Sequence, residues 1–179
     1  MEAAAAFLAV RSRSVEETRR RLRHLGYPVG LCDTVIERLV ETGYLDDEAF
    51  ARAWVESRDR ARPRGVTALR RELQHKGVPE ATIAAVLAAR SRAGPDGASA
   101  GGFEDPAGAS AGSFEDPDRL AAQRLLDRRA AALRRESDAR KRRQKAYALL
   151  ARNGFPPDIC AELAATIDAS DPMTTDGRV

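Results

Sequence analysis

The residues of this chain best equipped for chemistry are its arginines and lysines, and that chemistry is recognition of phosphates or carboxylates. Arg58, Arg62 and Arg64 fall within seven residues, Arg70 and Arg71 follow, and from Arg58 to Arg71 only Asp59 opposes them. A second cluster reads Arg140, Lys141, Arg142, Arg143. A guanidinium offers a planar fork of donors that matches both oxygens of a carboxylate or phosphate, so a run of arginines with few acids is a binding surface in waiting. Reactive constellations are missing. No GxxxxGK[ST] phosphate loop, HExxH pair, paired-cysteine set or nucleophile elbow occurs. We therefore expect no catalytic residues, no metal, no cofactor and no enzyme activity. Asp46 and Asp47 are adjacent carboxylates at the start of an apolar-periodic run, where helix capping explains them better than acid–base work. His24 and His75 have no Cys, Asp or Glu at ligand spacing. They read as polar groups in the last turn of a helix.

Helices must position these side chains. Ser14-Val15-Glu16-Glu17 has Ser at N-cap and Glu three residues on, a capping box. The helix it opens carries Val15, Thr18, Leu22 and Leu25 on one side, Arg19, Arg20, Arg21 and Arg23 on the other, and stops at Gly26. A short apolar segment, 3–11, precedes it. Pro28 starts a helix with Leu31, Cys32, Val35, Ile36 and Leu39 at helical spacing, ended by Gly43. The next helix runs from Asp46-Asp47 to about Arg60 with Phe50 and Trp54 inward. Pro63-Arg64-Gly65 breaks the chain. A helix over 67–76 has Leu69 and Leu73 inward and stops at Gly77, and a last one begins around Pro79.

These elements repeat. Leu22, Gly26, Cys32, Val35 and Ile36 recur 51 residues on as Leu73, Gly77, Ile83, Val86 and Leu87. Leu150, Gly154, Cys160 and Leu163 repeat the pattern once more, displaced further by the length of an insertion, 93–118. The expected architecture is all-α: three tandem three-helix repeats, elongated, at 1–45, 46–92 and 119–168. The same register places Cys32 and Cys160 where Ile83 stands, as small buried apolar residues.

The insertion is a duplicated 11-mer, GASAGGFEDPA (97–107) then GASAGSFEDPD (108–118). Segment 93–118 has no Lys or Arg and six carboxylates, whereas both flanking parts are basic within a net charge of +3. Rich in Gly, Ala and Ser, it is expected to be a flexible acidic linker, and 169–179 a disordered tail. No apolar run approaches membrane-spanning length, and the apolar start lacks a basic segment ahead of it, so a cytoplasmic protein is expected, with no membrane contact.

The central stretch GYLDDEAFARAWVESRDRARPRGVTALRRELQHKGV (43–78) resembles the RecX family, bacterial regulators of the RecA recombinase. Gly43-Tyr44-Leu45-Asp46-Asp47, Phe50-Ala51, the arginine-rich exit with Gly65, and Leu73 ahead of Lys76-Gly77 carry the likeness. RSRSVEETRRRLRHLGY (11–27) resembles the family's opening segment. Leu150-Ala151-Arg152-Asn153-Gly154-Phe155 resembles its closing motif, with Asn153 in place of an arginine. The resemblance implies tandem three-helix repeats. It also implies a negative regulator that binds the groove of the RecA nucleoprotein filament, limiting its growth, ATPase, strand exchange and co-protease activity. The contact residues expected are Arg58, Arg62, Arg64, Arg70 and Arg71 in the second repeat and Arg140, Lys141, Arg142 and Arg143 in the third. The chain is expected to act as a monomer, with DNA as a further direct partner. The alternative is a helical DNA-binding module that does not need RecA.

Overall fold

The capping box at Ser14 forms as the spacing predicts. The Ser14 hydroxyl accepts from the Glu17 N–H at 3.1 Å and the Glu17 carboxylate accepts from the Ser14 N–H at 3.4 Å. It opens α2 (Val15–His24), which follows α1 (Glu2–Val10). The remaining helices are α3 (Val29–Glu41), α4 (Asp47–Ala61), α5 (Val66–His75), α6 (Glu80–Arg92), α7 (Pro117–Arg134), α8 (Ala139–Arg152) and α9 (Pro157–Thr166). The computed structural model describes residues 2–92 and 116–167, and among them every regular element is a helix. The tail expected at 169–179 and most of the acidic segment, up to residue 115, lie outside the described residues.

The repeat register governs the backbone in detail. Gly26, Gly77 and Gly154 follow α2, α5 and α8, with φ of 85°, 77° and 80°. This left-handed conformation suits a residue without Cβ. At each, the next N–H reaches back five residues: Tyr27 to Leu22 O, Val78 to Leu73 O and Phe155 to Leu150 O. That bond consumes a carbonyl the helix end leaves unpaired. Pro28, Pro79 and Pro156 then stand just ahead of α3, α6 and α9, one residue earlier than a first-turn position. Their carbonyls accept from the Cys32, Ile83 and Cys160 N–H at 3.0 Å each. Cys32, Ile83 and Cys160 are all buried, and both thiols donate to a carbonyl, Tyr27 O and Phe155 O.

The chain forms two compact units. Of the described residues, the first holds those up to 61 and 69–88, and the second holds 62–68 and those from 89 on. In the first, Ala4, Leu22, Cys32, Ile36, Leu39 and Leu45 form one apolar cluster. Phe50, Val55, Leu69, Leu73, Ile83 and Leu87 are buried further along. In the second unit, Leu126 and Leu133 of α7, Leu150 of α8, and Ile159, Cys160 and Leu163 of α9 share a core with Phe155.

Two contacts, one in each unit, are built to the same plan. In the first, the end of α5 meets the start of α2. The Ser14 hydroxyl donates to Lys76 O at 2.5 Å, and a Cβ on Gly77 would come within 2.5 Å of Glu16 Cγ. In the second, the end of α8 meets the start of α5. The Gly65 N–H donates to Asn153 O at 3.0 Å, and a Cβ on Gly154 would lie 2.5 Å from that of Ala68. Carboxylates complete both contacts. Asp47 at the start of α4 accepts from the Val15 N–H at 2.9 Å, and Asp118 at the start of α7 accepts from the Val66 N–H at 2.9 Å. So Asp46 and Asp47 divide the capping expected of the pair. Asp46 accepts from its own helix, at the Glu48 and Ala49 N–H, while Asp47 caps a helix 32 residues earlier.

Asp118, sequence-expected as linker, is buried in the first turn of α7 and also pairs with Arg90 of α6. Asp116 is the N-cap of that helix and Pro117 its first residue. Pro is favoured there because its missing N–H would have had no helical partner.

Candidate functional site

In the first unit, Arg58 sits on a half-buried aromatic post. Its guanidinium lies 4.2 Å from the centre of the Trp54 ring and its Nε donates to Glu72 Oε2 at 2.6 Å. The Trp54 indole N–H donates to the same oxygen at 2.9 Å, and Lys76 Nζ lies 4.9 Å from the same ring. Lys76 also donates to Glu17 at 2.8 Å, tying α5 to α2. Phe50 stacks beside Trp54 and is buried, the core role its spacing predicts. Arg58 is thus held by its own fold, and so is Arg70, which pairs with Glu80. Arg71 is exposed and makes no ion pair among the described residues.

Burial pushes the Glu17 carboxyl up, but hydrogen bonds from Lys76 and the Ser14 N–H outweigh it, and the group titrates below its ordinary value. The sign follows from linkage. A depressed folded value stabilises the fold above the unfolded carboxylate's pKa of about 4.3, and the effect is lost as pH falls through the folded value. Glu17→Gln should therefore be less stable than the parent at neutral pH. In urea unfolding the gap should narrow as pH falls below about 4.3 and through the folded value.

In the second unit, Arg62 is exposed and makes no ion pair among the described residues, and Arg64 donates to Asn153 Oδ1 at 2.6 Å. The Asn153 amide donates in turn to Leu149 O at 2.7 Å. An arginine at 153 could not accept from Arg64, so the departure from the family's closing motif is matched by a partner in this chain.

The second cluster occupies a turn that the other repeats lack. The α2 and α5 helices have ten residues each and α8 has fourteen. All three end in the same register, so α8 begins one turn earlier. Arg140, Lys141 and Arg142 lie in that extra turn, and Arg143 stands level with Val15 and Val66. Asp138 caps it, accepting from the Arg140 and Lys141 N–H at 2.8 and 3.1 Å. Arg140, Lys141 and Arg143 are exposed, whereas Arg142 is half-buried and donates to Glu136 O at 3.0 Å. Four cations at the positive end of a helix oppose its dipole, at a cost of ~0.3–1 kcal/mol each when exposed. Arg140 and Lys141 make no ion pair among the described residues to offset that cost, and binding an anion would.

The structure does not bring the two arginine clusters of this unit together. Arg64 meets the C-terminal end of α8 and Arg140 to Arg143 begin it, a helix length of ~20 Å apart. Sequence reasoning missed the roles of Asp118 and Glu72 and the distant partners of Asp47 and Asn153; all four pairings span 14 to 89 residues. Among the described residues no helix is long and apolar enough to cross a membrane.

Comparison with known proteins returns one family. Models for the first, second and third three-helix domains of RecX match residues 1–39, 46–87 and 120–163 in that order. The "Regulatory protein RecX" of Mycolicibacterium smegmatis is 42% identical over 81 residues, 45% of this chain and 43% of its own. That of Geobacillus kaustophilus is 30% identical over 159 residues, 89% of this chain and 50% of its own. The chain spans about half the length of these relatives, or less. The crystal structure of RecX from Lactobacillus salivarius superposes with a TM-score of 0.70 over 94% of both chains at 17% identity. A second, of a regulatory protein RecX, gives 0.65 over 88% of this chain and 68% of its own at 18% identity. At such identities the structures speak for the fold, which is that of tandem three-helix domains.

Proposed function

The chain belongs to the RecX family of regulatory proteins, and from that premise we propose that it is a non-enzymatic negative regulator of the RecA recombinase. It acts in the cytoplasm as a monomer, through repeats at 1–45, 46–92 and 119–168 with the acidic segment between the second and third. In this reading it binds along the groove of the RecA–DNA filament and limits filament growth, ATPase, strand exchange and co-protease activity. The observation that carries the reading is the extra basic turn of α8, whose exposed Arg140 and Lys141 work against the helix dipole and suit an anionic surface facing them. Arg140 and Lys141 are the foremost contacts, with the exposed Arg143, Arg62 and Arg71 next. Arg58, Arg64, Arg70 and Arg142, held by internal partners, take a supporting part.

The test uses Arg140→Gln, Lys141→Gln and Arg143→Gln combined. Thermal stability should hold or rise, because the dipole conflict is relieved. Affinity for RecA filaments should fall at least ~tenfold, with a shallower dependence on salt. Unchanged filament affinity would overturn the assignment. Tight binding to naked DNA, lost in parallel, would favour a DNA-binding module that does not need RecA.

A further inference from the structure

The end of α2 should match the ends of α5 and α8, yet among the described residues nothing meets Gly26. Gly77 abuts Glu16 and Gly154 abuts Ala68, so a Cβ at either would clash, whereas at Gly26 the nearest 4 Å are empty. Around Gly26 the surface is apolar. Leu25, Val29 and Leu31 are 45%, 56% and 49% exposed, and Tyr27 is 41% exposed where its counterparts Val78 and Phe155 are 5% and 4%. A shallow cleft of about 50 Å³ lies beside it, lined by Leu22, Tyr27, Leu31 and Val35 among others. The adjoining last turn of α2 carries Arg21 and Arg23, which are exposed and make no ion pair among the described residues.

What such an end accepts is shown twice within this chain. Gly77 receives the first turn of α2 and Gly154 the first turn of α5. In the first case the receiving end supplies a cation, Lys76, and the arriving turn a carboxylate, Glu17, 2.8 Å apart. We propose that the apolar end of α2, at Leu25, Gly26 and Tyr27, is a docking site for the first turn of a helix on a partner protein, a turn that carries acidic residues to meet Arg21 and Arg23. The helix must be one that opens without bulk next to Gly26, as Ser14 and Gly65 do at the other two ends. This inference stands whether or not RecA is the partner.

The full chain, labelled with ¹⁵N, would be titrated to ~1 mM with an acetylated alanine-based helical peptide beginning Ser-Val-Glu-Glu, the first turn of α2. Amide shifts should change at Leu25, Gly26, Tyr27 and Leu31. Replacing the two peptide glutamates with glutamine should weaken binding at least ~tenfold, as should Arg23→Gln in the protein. Leu25→Ser, at a surface position the fold does not need, should abolish it. No shift at the end of α2, or binding that survives Leu25→Ser, overturns the proposal. So does self-association that depends on Leu25, since the face would then belong to a second copy of the chain.

Discussion

Asp118→Ala is expected to destabilise the second unit by ~3 kcal/mol, more than any other single charge removed from this chain. Its carboxylate serves three elements at once. It lies in the first turn of α7, accepts from the Val66 N–H that opens α5, and pairs with Arg90 of α6. Both side chains of the pair are under a tenth exposed, so removing one leaves the other charge desolvated without this partner. Burial pushes the Asp118 carboxyl above its ordinary value even though Val66 and Arg90 draw it down, which shows how much desolvation the pair must offset. Asp118→Asn keeps an acceptor for the Val66 N–H and should lie between parent and alanine. Asp47→Ala removes the equivalent cap at Val15, where the carboxylate is half-buried and makes no ion pair among the described residues. It should cost about 1 kcal/mol, the usual worth of a cap. Urea unfolding of the three variants, followed by circular dichroism, measures the order. Equal losses for Asp47→Ala and Asp118→Ala would refute it.

The second large effect separates glycines that share a conformation. Gly26, Gly77 and Gly154 all have positive φ, so alanine at any of them incurs the left-handed penalty of ~1–2 kcal/mol. At Gly26 that is the whole cost, because the space beyond is open. At Gly154 the new methyl also collides with Ala68, and the backbone there cannot retreat while Gly65 N–H holds Asn153 O and Thr67 N–H holds Gly154 O. Overpacking adds ~1–3 kcal/mol. Gly154→Ala should therefore unfold at clearly lower denaturant than Gly26→Ala. Ala68→Gly removes the methyl but not Ala68 N, which also lies 2.5 Å from the added Cβ, so the double variant should recover only a small part of the loss. The same logic forbids a side chain at Gly65, whose Cβ would drive into the Gly154 carbonyl.

The repeat was legible because it is written in groups whose physics is local. Leucines at helical spacing, a glycine where a helix must turn left-handed, and a buried apolar residue six positions on fix helix, stop and helix without reference to anything distant. The bounds of α4 and α5 followed to within a residue or two from Asp46, Pro63 and Gly77. Asp118 was not legible. It closes an 11-mer that reads as low-complexity linker, and its partners Val66 and Arg90 lie 52 and 28 residues away.

The arginines divide the same way. Composition identified the basic stretches, yet Arg58, Arg64 and Arg70 find Glu72, Asn153 and Glu80 only once the helices pack. Exposure then leaves Arg62, Arg71, Arg140 and Lys141 without an ion pair among the described residues. The extra turn of α8 became evident only when the lengths of α2, α5 and α8 were compared in register, because a cluster of basic residues at a helix start looks like any solvated face until the dipole is counted against it.

The central claim, regulation of the RecA filament, is tested most directly by RecA's single-stranded-DNA-dependent ATPase with this protein titrated in below the RecA concentration. The protein's own binding to the same DNA is measured at equal salt. The account predicts that ATPase falls well before the DNA is saturated by this protein alone, and that the Arg140, Lys141 and Arg143 glutamine variant needs at least ~tenfold more protein for the same effect. ATPase that declines only in step with coverage of naked DNA would contradict it, and would make the chain a competitor for DNA.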